Sequence, residues 1–441
     1  MIKTYVTLLI YLFGVVGVFA AFSGKVRWTL LLIVLLLPLQ NIIDQIQHFF
    51  LGKDFLDILI ISSLLGWLVR SMTNQEKIVG KSSLNIMAFV LILYTFFSLC
   101  RGYSYLGYSD YFNLHDMRVQ EWKNYCLFPI LFILIFYNIN EEKWVWRIIV
   151  AMCLSMALVS LYTVKQISWF SGIISRDKIN GTFVWLGPNE VAAFLNQYSI
   201  LLLSLFFALK RGFLKLSLFG LILVSIYCVF FLFSRGAYIG LVAGLFVVFA
   251  LRKPVFLVPL VIVLLFWQVF LPQEIQTRIE MTTDSYGQLD DSSENRLLIW
   301  EQSVDLFKTT PVFGIGFGVF RHLGFNLKDT HNIYLKILAE QGIVGIGIFF
   351  TLIFMLIAQG WRLFKKGKTG LYRSMGAGFL ACIIVSLINN LFGDRWTYLP
   401  LGAYMWVFAG LVARLIVLSN DTSPKQVNNK IMVKQLYVQP A

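Results

Sequence analysis

Apolar positions in this chain come neither as an alternation nor as a one-sided stripe. They form long unbroken runs separated by short polar joints. A run of about 18 residues, coiled as α-helix, crosses a hydrocarbon core roughly 30 Å thick. The pattern predicts spans at roughly 4–22, 28–43, 54–70, 84–100, 124–138, 144–165, 189–209, 213–233, 236–251, 254–271, 332–358, 374–391 and 398–418. That makes thirteen, or twelve if one of the short early segments is re-entrant or interfacial. A membrane barrel would instead alternate apolar and polar residues over about ten positions. The expected fold is an all-α polytopic membrane protein, a single transmembrane domain over 1–441.

Composition strengthens that expectation. Charged residues make up 14% of the 441 and hydrophobic residues 58%, against about 25% charged in soluble domains. Such a surface faces lipid. The formal net charge of +14 would suggest nucleic acid in a soluble chain. In a membrane chain it is first a topological signal, because cytoplasmic loops collect Lys and Arg, and no nucleic-acid partner is expected. Lys25 and Arg27, then Arg70, Lys77 and Lys81, then Lys143 and Arg147 mark alternate joints. Lys210, Arg211 and Lys215, then Arg252 and Lys253, then the cluster at 362–373 and the tail 419–441 continue the series. These joints are assigned to the cytoplasm. Segments 101–123, 166–188, 234–236, 272–331 and 392–397 then face outside.

Five cysteines lie in or beside apolar runs without CxxC spacing and read as small core residues. Four histidines show no HExxH or other ligand spacing, so no metal is expected. The first apolar run has no small-residue cleavage site and is not read as a signal peptide.

The outer segment 272–331 is the longest joint, and long joints in compact proteins are commonly functional. Within it, DSSENRLLIWEQSVDLFKTTP begins with capping residues at 291–293, and Leu297, Trp300, Val304 and Phe307 recur at helical spacing. An amphipathic helix lying over the membrane is predicted, ended by Pro311 and followed by the turn GIGFG at 314–318.

Chemistry-bearing residues gather on the outer side. Arg235, in FLFSRGAYIG, sits at a short outer turn, where an arginine either snorkels or binds an anion. Arg296 is placed in the first turn of the amphipathic helix, where a cation opposes the helix dipole; it is either a solvated arginine or part of an anion site. His331 and Asn332 stand where the loop re-enters the membrane. Glu340 lies about 13 Å further along that helix, too far to bond His331, and is expected to pair with another helix or an outer arginine. The segment 175–195, SRDKINGTFVWLGPNEVAAFL, adds Arg176 and Lys178, with Asn189 and Glu190 opening a helix where a capping role is equally natural. Arginine forks suit a phosphate-bearing group. A histidine can take a proton from a hydroxyl, and the apolar bundle can hold a lipid tail. Together they suggest a lipid diphosphate donor and a hydroxyl acceptor.

The stretch ENRLLIWEQSVDLFKTTPVFGIGFGVF followed by THNIYLKILAEQGIVGIG resembles the signature of the O-antigen ligase and O-antigen polymerase superfamily. There an Arg and a Trp precede a Pro and a Gly-x-Gly, and a His-Asn starts a helix carrying Glu-x-Gly. SRGAYIG and GTF…PN also match, so the resemblance runs from about residue 170 onward. It implies a metal-independent, inverting membrane glycosyltransferase of the GT-C type with about 12–13 transmembrane helices and no cofactor. It would sit in the bacterial inner membrane, with its site on the periplasmic or extracellular face. Its donor would be a glycan on undecaprenyl diphosphate. Its acceptor would be a lipid or glycan hydroxyl, lipid A-core in a ligase. By motif, Arg235 and Arg296 would hold the diphosphate, with Arg176, Asn189 and Asn332 as further substrate contacts. His331 would be the general base, and Glu340 a supporting residue. Gly314, Gly316 and Gly318 would let the loop turn tightly, and Asp394 and Arg395 of GDRW would join the cavity rim.

Ligase and polymerase share this chemistry and differ in acceptor; the single large outer loop with His-Asn at the helix head favours the ligase. A lipid-linked glycan transporter should carry internal repeats or midplane charge, and the chain has no evident repeat.

Overall fold

The computed structural model describes residues 2–74, 82–108, 113, 115–169, 183, 186–280, 291–323 and 329–420. Seventeen α-helices are described: α1 (Ile2–Phe22), α2 (Val26–Leu36), α3 (Gln40–Gln45), α4 (Phe55–Thr73), α5 (Ser83–Leu106), α6 (Met117–Asn138), α7 (Glu142–Trp169), α8 (Pro188–Phe206), α9 (Phe213–Phe231) and α10 (Arg235–Arg252), then α11 (Leu257–Leu265), α12 (Trp267–Phe270), α13 (Gln273–Glu280), α14 (Asp291–Thr309), α15 (Ile333–Lys366), α16 (Gly370–Asn389) and α17 (Leu399–Asn420). No strand occurs among the described residues. The chain is an all-α polytopic membrane protein.

Ten described helices are long and apolar enough to cross a membrane, or eleven if one bent pair is a single span. The remaining predicted spans differ for physical reasons. The stretch 28–43 is broken: Val26–Leu36 and Gln40–His48 meet at 100°, with Pro38 at the joint, where a missing N–H and a fixed φ end a helix. The stretch 254–271 divides at Phe266 into nine- and four-residue helices. Helix α8 is continuous but carries Glu190, Asn196 and Gln197, and it lies inside the bundle rather than against lipid. There Asn196 Nδ2 donates to the Ala237 carbonyl at 2.8 Å, as a polar side chain in a membrane core must.

Helices α8, α10 and α15 all pack on α16 at the centre, α8 and α10 also pack on each other, and α17 packs along α6. Phe194, Tyr198, Tyr404 and Phe408 form an aromatic stack where α8 meets α17. All five cysteines are free.

The basic joints lie at one end of the bundle. Arg27 there binds the Asn138 carbonyl at 2.9 Å and Glu141 at 2.7 Å. The N-terminal ends of α8, α10, α15 and α17 lie at the other end, where the candidate site is found. The tail from residue 421 onward lies outside the described residues.

Candidate functional site

The head of α15 is built around a strained histidine. His331 has φ 50°, a left-handed conformation uncommon for a non-glycine residue. Its neighbours hold it there. Thr330 Oγ1 donates to the Asn332 carbonyl at 2.8 Å, and the Thr330 carbonyl accepts from Trp300 Nε1 at 3.0 Å. Asn332 is the N-cap: its side-chain oxygen accepts from the Tyr334 and Leu335 amides at 3.0 and 3.2 Å, satisfying donors that a helix start leaves open. The Ile333 amide donates to the Asn390 carbonyl at 3.1 Å, which fixes α15 to the loop after α16. Burial pushes the His331 pKa below its ordinary value; the charges of Arg296 and Arg395 act in the same direction, and Asp329 opposes them. The imidazole is therefore neutral at pH 7 and able to accept a proton.

The loop after α16 carries the second half of the site. Asp394 is fully buried and holds the loop together. It accepts from the Trp396 amide at 3.1 Å and the Thr397 amide at 3.0 Å, from the Thr397 hydroxyl, and from Lys336 Nζ at 2.8 Å. Burial raises its pKa, but Lys336 and these hydrogen bonds bring it below the usual carboxylate value. Arg395 pairs with Glu190 of α8 at 3.2 Å. Among the described residues its buried Nε has no hydrogen-bond partner, a donor that calls for a ligand or water.

These residues converge on one cavity of about 510 Å³, lined by His331, Arg395, Glu190, Asp329, Arg321 and Tyr398 among others. It contains a neutral imidazole and a guanidinium with a spare donor. It can therefore bind an anion and accept a proton at adjacent positions.

Other sequence-predicted residues fall elsewhere. Arg235 is the first residue of α10 and lines a separate apolar groove of about 710 Å³ between α10 and α11. Helix α14 starts at Asp291, so Arg296 lies in its second turn rather than its first, and the dipole argument for it weakens. The packing face of α14 is also rotated from the predicted stripe. Leu297 is exposed, and Ile299 is buried with Trp300 and Leu306 against Phe320 and Ala339. At the start of α8, Gly187 is the N-cap and Pro188 the first helical residue, so Asn189 is not the cap. Arg176 lies outside the described residues.

Glu340 is 2% exposed and lines a different cavity from His331. Among the described residues its carboxyl accepts from the Phe320 backbone amide at 3.2 Å, at the start of a short 3-10 turn, rather than from an arginine side chain. It helps hold a spliced joint. Gly342 interrupts α15 with φ 65° and ψ −164°, and the loop 311–317 fits against the break. The Ile315 and Gly316 amides donate to the carbonyls of Ala339 and Glu340 at 3.0 and 2.8 Å. The Ile343 and Val344 amides donate to the carbonyls of Pro311 and Val312 at 2.9 and 3.3 Å. A Cβ on Gly314 would lie 2.3 Å from the Glu340 carbonyl carbon, and one on Gly342 2.3 Å from the Val312 oxygen. Both glycines therefore have two reasons to be glycine, positive φ and contact distance. The expected tight turn at 314–318 is present, with φ 67°, 117° and 70° at Gly314, Gly316 and Gly318.

Arg321 and Lys336 were not among the candidates, and Glu190 was considered only at a helix start, with a capping role. A lysine in the first turns of an apolar span was the available signal, since charge there needs a partner.

Residues 219–350 match the family model described as O-antigen ligase. That segment contains Arg235, Arg296, the glycine turn, His331 and Glu340, and is shorter than the resemblance read from about residue 170 onward. No curated protein matches the chain. The match implies a glycan-transferring ligase- or polymerase-like role in the membrane, with lipid-linked glycans as partners in general. This match, over less than a third of the chain, and this helical membrane architecture support a likeness to the O-antigen ligase superfamily.

Proposed function

We propose that the protein is a membrane glycosyltransferase that moves a glycan from undecaprenyl diphosphate to an acceptor hydroxyl at the outer face of the bacterial inner membrane. The observation that carries this reading is the shared cavity of His331 and Arg395. His331, held neutral, takes the proton of the acceptor hydroxyl as its oxygen attacks the anomeric carbon. The bond from that carbon to the diphosphate oxygen breaks on the opposite side, which inverts the centre. The electron pair leaves on the lipid diphosphate, and arginine charge stabilises it. Arg395 stands in the cavity, and Arg296 is close enough to depress the histidine. Arg235 sits beside an apolar groove that would hold the prenyl tail. Glu190 keeps Arg395 oriented, and Asn332 fixes the helix head that aims His331.

The ligase reading takes an envelope lipid such as lipid A-core as acceptor; a polymerase would take another lipid-linked repeat at the same site. The test is purified protein in nanodiscs with undecaprenyl diphosphate-linked glycan and each acceptor in turn. A new glycosidic bond to lipid A-core is expected. A product lengthened by whole repeats would identify a polymerase, and no glycosidic bond with either acceptor would defeat the reading.

A further inference from the structure

A second cavity, of about 450 Å³, lies beside the first at the same end of the bundle. Arg321, Tyr398 and Leu186 line both. Between them stands the Lys336–Asp394 pair, with Lys336 facing the second cavity and Asp394 the first. The far wall comes from the N-terminal part of the chain, the bend after α2 and the first turns of α4 and α6. All of that wall lies outside the segment matched by the family model.

Its chemistry differs from that of the His331 cavity. Arg321 is paired with Glu121, Lys123 with Asp57, and Lys336 with Asp394. That leaves Lys53 with Asp44 and Asp54 at the exposed rim and the buried Glu340 in the lining, so there is no excess of positive charge to attract phosphate. An alkyl chain is equally unsuited to a wall of carboxylates and carboxamides. Asn124 is half-buried and lines the cavity, and its side chain makes no hydrogen bond among the described residues. Its carboxamide offers two donors and an acceptor, and Asp54 adds a carboxylate. Phe183 and Phe317 contribute apolar faces. Donors, acceptors and apolar faces mixed without an excess of cations suit a ligand whose hydroxyls both donate and accept and whose ring faces are apolar.

We propose that this second cavity is a saccharide subsite. It holds a sugar residue of the glycan being transferred or of the glycan that accepts it, next to the reacting centre. The inference rests on the transferase reading for its substrates, and the cavity supplies the place. The diphosphate stays with Arg395, and the neutral sugar extends past Tyr398 into the second cavity.

The test uses full-length protein in nanodiscs carrying Asn124→Ala or Asp54→Ala, neither of which touches His331 or Arg395. Each variant loses hydrogen bonds to sugar and should raise one substrate's KM about tenfold at unchanged kcat. A rise in acceptor KM places the acceptor sugar there, and a rise in donor KM places the donor sugar; both support the subsite. Unchanged KM values for both substrates in both variants would overturn it. Asp54 is at the exposed rim, so its variant tests the idea even if Asn124→Ala fails to fold. A binding measurement separates this inference from the transferase reading. The free oligosaccharide released from the donor lipid by mild acid, or the delipidated acceptor, should bind the His331→Ala protein. Asn124→Ala in that background should weaken the binding, and inorganic pyrophosphate should not compete. Retained sugar affinity in Asn124→Ala and Asp54→Ala would sink the subsite, whereas a wild-type protein that binds sugar but forms no glycosidic bond would sink only the transferase reading.

Discussion

Lys336 donates to Asp394 at 2.8 Å, and that contact ties the helix that begins beside His331 to the loop that carries Arg395. The two halves of the site come from segments some sixty residues apart. Removing one member leaves a buried charge without its partner, which typically costs about 3–5 kcal/mol. Lys336→Met and Asp394→Asn should each lower the melting temperature in detergent and depress transfer. The double variant should recover part of the lost stability, as apolar replacement of a buried pair often does. Single variants as stable as wild type would remove the pair from this role.

His331→Ala should slow transfer by about 10²–10⁴-fold, the usual contribution of a general base, with donor affinity nearly unchanged. His331→Gln should be similarly impaired if proton transfer matters. Loss of donor binding with full turnover at saturation would make His331 a binding residue instead.

The pH profile has a defined sign. The base works deprotonated, and burial with nearby arginine charge lowers its pKa. Activity should therefore persist to a pH below the ordinary histidine value of about 6.5 and fall on further acidification. Arg395→Ala removes one of the lowering charges, so the acidic limb should move to higher pH. A limb that stays in place would show that Arg395 does not sense His331.

Arg235→Ala, Arg296→Ala and Arg395→Ala should each reduce transfer at limiting donor. Charge-assisted contacts of about 1.5–3 kcal/mol correspond to roughly tenfold to over a hundredfold. Lysine at these positions should restore only part of the rate, because the forked geometry is lost. Since these arginines supply the positive charge, transfer should persist in EDTA; loss on chelation with recovery on Mg²⁺ would contradict this.

Two glycines ten ångströms or less apart along α15 should behave oppositely. Gly342→Ala places a Cβ 2.3 Å from the Val312 oxygen at positive φ and should destabilise strongly. Gly347→Ala meets nothing within 4 Å and should be neutral or stabilising by up to about 1 kcal/mol. Thermal melts of the two variants provide the comparison.

Much of the fold was legible because unbroken apolar runs have few alternatives to membrane helices. The breaks were less so. Pro38 marks the early bend, but the division at Phe266 has no comparable residue, and the interruption at Gly342 depends on a loop arriving from 311–317. Of the site, His331, Arg395 and Asp394 could be picked out from short local patterns. The grouping could not, because it depends on which helix ends meet: Glu190 reaches Arg395 across some two hundred residues. Arg235, prominent in its motif, lies instead in the apolar groove. Glu340 looked like one half of an ion pair, yet a carboxylate can be satisfied by backbone amides that leave no charged signature.

The joint at Gly342 has a mechanical consequence. A broken helix with open backbone groups acts as a hinge, but here donors and acceptors on both sides of the break are taken up by one loop. The joint is a weld. When the bilayer thins or thickens, the lower half of α15 cannot swing without breaking those bonds, so His331 keeps its depth. Adaptation to membrane thickness then falls to loosely packed helices such as α1 and α11, most of whose surface faces outward.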